Sequence, residues 1–334
     1  MTHPERPLHA HGTLVTGWAR QAGGFWRPKK PLPSGQIMTS SCIRFACFFY
    51  VLKTALTLDT AIVTTFVGGG VGVSVDGIGT AASFSTPTTV ALDLNGGLFV
   101  GENDIYRIRK VTPTGIVTTL AERNSASFAD GTGSNAGFDH ASVGAVDPAG
   151  NLYVADHGNN RIRKVTPAGV VTTLAGSGTA DCSDGTGTSA SFWGPFGVAL
   201  DAAAGKLYVT DETGHRVRIV DTATGVVSTL AGSGVAAYSD GTGTFASFHA
   251  PLGVAVDTMG NIYVADYVNS RIRKISPAGV VTTLAGSGAW AYTDGAGTLA
   301  SFNRPVGIAI DATGNLYIGY LWSARGSLRP QVGG

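Results

Sequence analysis

Hydrophobic and polar residues alternate in short runs from residue 61 to residue 320, and Gly, Pro, Asn and Asp separate the runs. One set of four runs, rich in Val, Ile, Thr, Tyr and Leu, lies at 143–147, 151–156, 161–166 and 170–174. Such residues and breaks are typical of β-strands joined by tight turns. No window combines a sustained helical period with helix caps, so the pattern predicts a protein nearly without helices.

This set of runs recurs every 54 to 56 residues. Each copy contains an Asp-Gly pair, a Phe eight residues after that Asp, a short strand that ends in Asp, and a basic strand of the type Arg-Ile-Arg-Lys. The Asp-Gly pairs begin at Asp76, Asp130, Asp184, Asp240 and Asp294. We therefore divide this part of the chain into units of about 61–115, 116–169, 170–225, 226–279 and 280–320.

A single four-stranded meander buries one face poorly, and radial packing against copies of itself covers that face. The pattern therefore predicts an all-β fold, a β-propeller of four-stranded antiparallel blades with about five recognisable blades. The last blade is incomplete, because no basic third strand follows Tyr320. The leading strand Ile62–Phe66 is available to complete that last sheet and close the ring.

The fourth unit resembles an NHL repeat in the string Gly253-Val-Ala-Val-Asp-Thr-Met-Gly-Asn-Ile-Tyr-Val-Ala-Asp-Tyr-Val-Asn-Ser-Arg-Ile-Arg-Lys-Ile275. The long connection of the type Gly-Ser-Gly, Asp-Gly, Ala-Ser-Phe is similar to the longer-looped repeats of teneurin propellers. The resemblance covers about residues 61–320. It implies a propeller that has six blades in most family members, so five units indicate an incomplete gene product or a ring closed imperfectly by five blades.

Charge and cysteine content restrict the classes of partner. The whole chain has a formal net charge of +1, but residues 61–334 carry 16 bases and 20 acids, a balance of −4. A strongly basic surface is the usual requirement for nucleic-acid binding, so we expect no nucleic-acid partner. Three cysteines cannot supply a disulfide framework or a cysteine-based zinc site in a chain of 334 residues.

The first sixty residues differ from the rest, since they are rich in Pro and have a balance of +5. We expect residues 1–60 to be a disordered or poorly ordered leader and residues 321–334 to be an irregular tail. The apolar segment 42–52 is too short for a spanning helix, which needs about 20 residues, so no membrane partner is expected. The residues after Met1 do not have the pattern of a signal peptide, whereas a weak signal-like segment follows Met38. The cellular compartment of the protein therefore stays open.

Charged residues that recur once per unit indicate an architectural role. Strand alternation places Arg161 and Arg163 on one face of the blade and Ile162 on the other. A buried arginine needs a partner, and the Asp across the hairpin is the nearest candidate. We therefore predict structural pairs between Asp156 and Arg161, Asp211 and Arg216, and Asp266 and Arg271.

Residues that vary between units lie in the long connections and indicate a binding surface. In an antiparallel meander these connections emerge at the same end as the hairpins between the second and third strands. Exposed Trp, Tyr and Arg on loops over a rigid scaffold are typical of protein-binding surfaces. The candidate binding residues are Trp193, Tyr238, His249, Trp290, Tyr292 and Arg304. The alternative, in which Trp193 and Trp290 only pack the loops down, stays open.

No motif identifies a catalytic residue, a metal site or a cofactor. The histidines His140, His157, His215 and His249 fall at unrelated positions of different units, so we expect no metal and no cofactor. The resemblance implies a non-enzymatic scaffold that binds a protein or other ligand through its loop-bearing face. Two alternatives are a propeller enzyme of the lactonase, lyase or strictosidine-synthase-like kind and an RNA-binding NHL domain. The ligand and the oligomeric state stay open.

Overall fold

The computed structural model describes residues 63–70, 72–123 and 125–320, together with the backbone of the short strands Trp18–Arg20, Trp26–Pro28 and Tyr50–Leu52. Most of the expected leader and all of the expected tail 321–334 lie outside the described residues. The described part contains β-strands and five single-turn 3-10 helices, at Gly79–Ala81, His157–Asn159, Gly187–Ser189, Gly243–Phe245 and Gly297–Leu299. The prediction of a fold nearly without helices is therefore confirmed. None of the described helices could cross a membrane.

Four sheets of five antiparallel strands form blades 1 to 4. From the inner strand outwards, blade 1 has Pro87–Leu92, Leu98–Glu102, Arg107–Val111 and Ile116–Glu122, and blade 2 has Ala141–Val146, Leu152–Asp156, Arg161–Val165 and Val170–Ala175. Blade 3 has Pro195–Asp201, Lys206–Asp211, Arg216–Asp221 and Val226–Ala231, and blade 4 has Pro251–Val256, Ile262–Asp266, Arg271–Ile275 and Val280–Ala285.

Each of these four blades also has a two-residue fifth strand that the sequence pattern did not predict. These strands are Gly77–Ile78, Gly131–Thr132, Gly185–Thr186 and Gly241–Thr242. In blade 2, Gly131 pairs with Val171 and Thr132 pairs with Val170 of the outer strand. The long connection thus crosses the outer edge of the blade into which it leads. Two residues are too few to show the alternation that identifies a strand.

Blade 5 has two described strands, Pro305–Ile310 and Leu316–Tyr320, so the prediction of an incomplete last blade is confirmed. The leading strand does not pair with either described strand of blade 5. Val63–Thr65 pairs instead with Tyr50–Leu52 in a separate two-stranded sheet. A partner that is close in sequence closes a short loop, which costs less conformational entropy than closure of the whole ring.

The hydrophobic core lies between neighbouring blades. One buried cluster joins Phe99 and Ile108 of blade 1 to Phe138 and Val154 of blade 2, and similar clusters join the following blades. Inner strands approach closely, because a Cβ atom at Gly197 of blade 3 would lie 2.3 Å from the carbonyl oxygen of the next blade's inner strand. Small residues in the inner strands therefore permit the radial packing.

Candidate functional site

A buried arginine ties each complete blade to its connection. In blade 2 the Arg163 side chain is 0% exposed, and its Nη1 donates to Asp156 Oδ2 at 2.5 Å and to the Gly137 carbonyl at 3.0 Å. Its Nη2 donates to Asp130 Oδ1 at 2.7 Å and to the Ala129 carbonyl at 2.8 Å. The second strand supplies Asp156 and the connection supplies Asp130, so one guanidinium holds the two segments together.

We call this arrangement the arginine bridge, and it occurs in all four complete blades. The other bridges join Arg109 to Glu102 and Asp76, Arg218 to Asp211 and Asp184, and Arg273 to Asp266 and Asp240. In each bridge the arginine and the strand carboxylate are fully buried, while the connection carboxylate stays about half exposed. The recurring charges of the repeat are therefore used inside the blades.

The predicted pairs of Asp156 with Arg161, Asp211 with Arg216 and Asp266 with Arg271 are wrong, because each carboxylate forms its ion pair with the other arginine of the strand. Asp156 and Arg161 do face each other in the backbone register. However, the carboxylate is buried, and the fully buried guanidinium two residues further along the third strand is the cation that it meets.

Arg161 contacts the next connection instead. Its guanidinium donates to the Asn159 carbonyl at 2.9 Å and to the Ser177 carbonyl at 2.6 Å. The guanidinium carbon lies 3.7 Å from the ring centroid of Phe128, and that of Arg163 lies 4.9 Å from the same ring. Both arginines therefore lie on one face of the blade, as strand alternation predicts. Arg216 and Arg271 make corresponding contacts in blades 3 and 4.

The connection carboxylates of two bridges are held ionised. Burial alone raises the pKa of Asp76, but hydrogen bonds from Thr119 and Arg109 outweigh it and hold the pKa below its ordinary value. At Asp184, burial likewise raises the pKa, but hydrogen bonds from Thr229 and Arg218 lower it by more. The pKa of Asp184 therefore also lies below its ordinary value. Hydrogen bonds that favour the charged form explain both shifts.

The end of the propeller that carries the hairpins between the second and third strands is called here the hairpin face. It consists of the hairpins 102–107, 156–161, 211–216 and 266–271 and of the residue pairs 85–86, 139–140, 193–194, 249–250 and 303–304 that follow each connection Phe. In blades 1 to 4 the first residue of a pair donates its backbone N–H to the strand carboxylate, as Trp193 does to Asp211 at 2.7 Å. The second residue has a positive φ in all five blades. Different side chains thus occupy the same backbone positions.

Hydrogen bonds on the hairpin face cross from one blade to the next. Three of them repeat one geometry, in which a positive-φ residue donates its backbone N–H to the side chain that precedes the third strand of the previous blade. Gly194 donates to Asn160 Oδ1 at 2.9 Å, Ala250 to His215 Nδ1 at 3.1 Å, and Arg304 to Ser270 Oγ at 3.3 Å. The sequence pattern did not identify these contacts, because the acceptor residue types differ.

Four of the six predicted binding residues lie on or against the hairpin face. Trp193, His249 and Arg304 occupy its residue pairs in blades 3, 4 and 5, and Trp290 lies 4.2 Å from the Arg304 guanidinium. The Trp193 residue is 47% exposed and Trp290 is 58% exposed. The structure brings Trp290 and Arg304 together, whereas Trp193 and His249 lie on other blades.

The two predicted tyrosines make different contacts. Tyr238 covers Arg271 and Arg273, whose guanidinium carbons lie 3.8 and 4.9 Å from its ring centroid, and its hydroxyl lies 2.9 Å from Thr283 Oγ1 on the outer strand. Tyr292 packs edge-on against Tyr320 with ring centroids 5.6 Å apart. Tyr238 therefore packs over the arginine bridge of its blade.

Histidines and the one described cysteine form pairs on this end of the molecule. His215 and His249 meet edge-on at 5.5 Å, and burial together with His249 lowers the pKa of His215. His157 Nε2 lies 3.1 Å from Glu212 Oε2. The Cys182 thiol donates to Asp211 Oδ2 at 3.4 Å, and burial and that carboxylate raise its pKa to about 12. Within the described ranges, no three His, Cys, Asp or Glu side chains are placed to hold a metal ion.

An open cavity of about 310 Å³ lies beside blade 1. Its lining includes Ser85 of the hairpin face and Asp104, Tyr106 and Arg107 of the first hairpin. The cavity thus continues the hairpin face at the first blade.

Comparison with known proteins identifies the family. Residues 74–287 match the family described as the SMP-30/Gluconolactonase/LRE-like region, which is more than half of the chain. Among curated proteins, the chain is 30% identical over 179 residues to SUPPRESSOR OF QUENCHING 1 of Arabidopsis thaliana, with 50% of this chain and 17% of that protein covered. It is 32% identical over 142 residues to human NHL repeat-containing protein 2, with 40% of this chain and 20% of that protein covered.

Mouse teneurin-3 is also similar, at 32% identity over 163 residues, with 44% of this chain and 6% of teneurin-3 covered. The chain thus spans a fifth or less of the length of these relatives. An auxiliary nutrient binding protein from Bacteroides thetaiotaomicron has a similar fold, with a TM-score of 0.55, 20% identity, and 71% of this chain and 57% of that chain covered. The chain therefore belongs to the SMP-30/gluconolactonase/LRE-like family and is an NHL-repeat β-propeller.

Proposed function

We propose that the chain is a non-enzymatic propeller scaffold that binds a protein or other ligand through its hairpin face. One observation carries the proposal. In the four complete blades a recurring arginine and two recurring carboxylates are used in the arginine bridge, whereas Trp193 and Trp290, which vary between blades, are half exposed on or against the hairpin face. Varied aromatic and charged side chains on a rigid backbone are what a selective binding surface requires.

The backbone of the hairpin face supports this role. Hydrogen bonds to buried carboxylates and to the previous blade fix the residue pairs, so binding would order few additional groups. A surface that is fixed before binding loses less conformational entropy on association. The relatives place similar repeats within much longer proteins, which suits a binding module.

The test is selection of peptides from a displayed library on the immobilised chain, followed by affinity measurement with variants. We expect Trp193→Ala and Trp290→Ala to weaken binding of the selected peptides about tenfold or more, as interface hot spots do. Circular dichroism should stay unchanged. Phe245→Ala is the control, because Phe245 is 85% exposed in the 3-10 turn that leads into blade 4, away from the residue pairs.

Two outcomes would contradict the proposal. Equal binding by both tryptophan variants and the control would remove the hairpin face as the binding surface. Turnover of a lactone by the purified chain, lost in the Trp193→Ala and Trp290→Ala variants, would show that the same face is an active site.

A further inference from the structure

We propose that Arg304 and Trp290 form a carboxylate-binding site at the junction of blades 4 and 5, and that the site takes an acidic peptide segment of a protein partner. The inference rests on the proposed function, since it assigns a ligand chemistry to one part of the hairpin face.

Two aromatic rings position the guanidinium of Arg304. Its central carbon lies 4.2 Å from the centroid of Trp290 and 5.6 Å from that of Tyr267. The indole of Trp290 is itself fixed, because its Nε1 donates to the Val268 carbonyl at 3.3 Å. Ring contacts of this kind stabilise a cation without occupying its hydrogen-bond donors.

The donors of Arg304 have no acceptor within the described part of the chain. Its side chain forms no ion pair or hydrogen bond there, and its Nε is buried without a partner. The Nε atoms of Arg271 and Arg273 in blade 4 are likewise buried without a partner, but their Nη groups differ from those of Arg304. Arg273 binds two carboxylates through its Nη groups, and Arg271 donates to two backbone carbonyls. The planar guanidinium of Arg304 therefore presents its two Nη groups in the geometry that matches a carboxylate.

The charge around this junction differs from that at another junction of the hairpin face. Between blades 2 and 3, His157 faces the carboxylate of Glu212 at 3.1 Å. At the junction of blades 4 and 5, the earlier blade places Tyr267 at the hairpin position that His157 holds between blades 2 and 3, directly after the strand carboxylate. Among the residues that the structure describes, the junction of blades 4 and 5 thus holds a cation next to a neutral ring, and a bound anion would supply the counter-charge of Arg304.

The surroundings favour a peptide over other anions. Trp290 is 58% exposed beside the guanidinium, and Trp and Arg are both enriched among the residues that dominate the binding energy of protein interfaces. A nucleic acid would need a basic surface, whereas residues 61–334 carry 16 bases and 20 acids. A single acidic side chain flanked by an apolar group matches one arginine beside one indole.

The experiment follows the indole N–H resonance of Trp290, assigned with a Trp290→Phe variant, by NMR on the full chain. The probes are an acetylated, amidated peptide with the sequence Glu-Tyr-Glu and a matched Gln-Tyr-Gln peptide. We expect the Glu peptide to shift this resonance and to bind at least about fivefold more tightly than the Gln peptide, as a charge-assisted bidentate contact should. Arg304→Gln should abolish the difference, and Arg304→Lys should reduce it.

Arg123→Gln is the matched control, because it removes one exposed positive charge at the end of the outer strand of blade 1. It should leave both affinities unchanged. Equal binding of the two peptides, or an unchanged preference in Arg304→Gln, would overturn the site. Tighter binding of inorganic phosphate or of a uridine hexanucleotide than of the Glu peptide would overturn the carboxylate assignment. If the site fails while Trp193→Ala still weakens library peptides, the proposed function stands without it.

Discussion

Blades 4 and 5 begin alike and end differently. Each has a connection with a 3-10 turn, followed by a buried Phe, Phe248 or Phe302, and an inner strand that starts at Pro. In blade 4 the second strand ends at Asp266, which binds Arg273. In blade 5 it ends at Tyr320, whose ring stacks on Phe302 with centroids 6.1 Å apart.

The difference shows two ways to fill one buried position. A buried carboxylate needs donors, and Asp266 receives them from Arg273, Asn269 and the backbone of His249. A tyrosine ring needs only close contacts, which its neighbours Phe302 and Tyr292 provide. A blade in which no third strand is described gains from the second solution, because an unpaired buried charge costs several kcal/mol.

The largest expected effect comes from removing the bridge of blade 4. We expect Arg273→Met to lower the free energy of unfolding by about 3–5 kcal/mol, because Asp266 loses its buried cation. Arg271→Met is the matched control on the same strand, with two carbonyl contacts and a half-buried side chain, and should cost about 1 kcal/mol. Urea unfolding followed by circular dichroism measures both. Similar losses in the two variants would mean that the bridge is not what distinguishes the complete blades.

A smaller loss of stability is expected in two of the connections when the pH is lowered. The pKa values of Asp76 and Asp184 are lower in the folded chain than in the unfolded one, so these carboxylates stabilise the fold above their ordinary pKa. That contribution is lost as the pH falls through their folded values. Hydrogen exchange, corrected for intrinsic rates, should therefore speed up at pH 3 relative to pH 5 in connections 70–84 and 176–192. The connection of blade 5, 286–302, has no described arginine bridge and serves as the internal control. An equal change in all three segments would contradict this expectation.

The smallest effect is expected in blade 3, where Cys182 is one of the donors to the strand carboxylate. Cys182→Ala should cost about 1 kcal/mol, since Asp211 keeps its contacts with Arg218 and the Trp193 backbone. Cys182→Ser keeps a donor and should stay close to the wild type in urea unfolding. With its pKa raised to about 12, the thiol should also react slowly with iodoacetamide at pH 8. Rapid labelling of Cys182 itself, distinguished from Cys42 and Cys47 by peptide mass spectrometry, would contradict the described contact.

Strand positions and the propeller fold were predictable because each blade repeats the same alternation and the same turn residues. Which arginine forms the bridge with the strand carboxylate was not predictable from the sequence. Arg161 and Arg163 lie on one face of the same strand. They differ in how far each side chain is buried, and only the Arg163 guanidinium is fully buried beside Asp156. Sequence alternation gives the face of a side chain but not its depth.

The candidate site was predictable in the same partial way. Trp290 and Arg304 stand out because they vary between units, but their contact joins a connection to a residue pair 14 positions later. Tyr238 varies in the same manner and yet packs over two arginines, as Phe128 does in blade 2. Variation between repeats thus identifies surface loops without separating ligand contacts from packing contacts.

The route of the connection over the outer edge of the following blade has a consequence for how such a chain can lengthen. Asp130, Asp156 and Arg163 all belong to the segment that begins after the outer strand of blade 1 and ends with the outer strand of blade 2. A gene duplication of that segment copies the cation with both of its anions. Each added copy therefore brings a complete arginine bridge with it, whereas its apolar faces and its polar contacts across the junctions depend on the neighbouring copy.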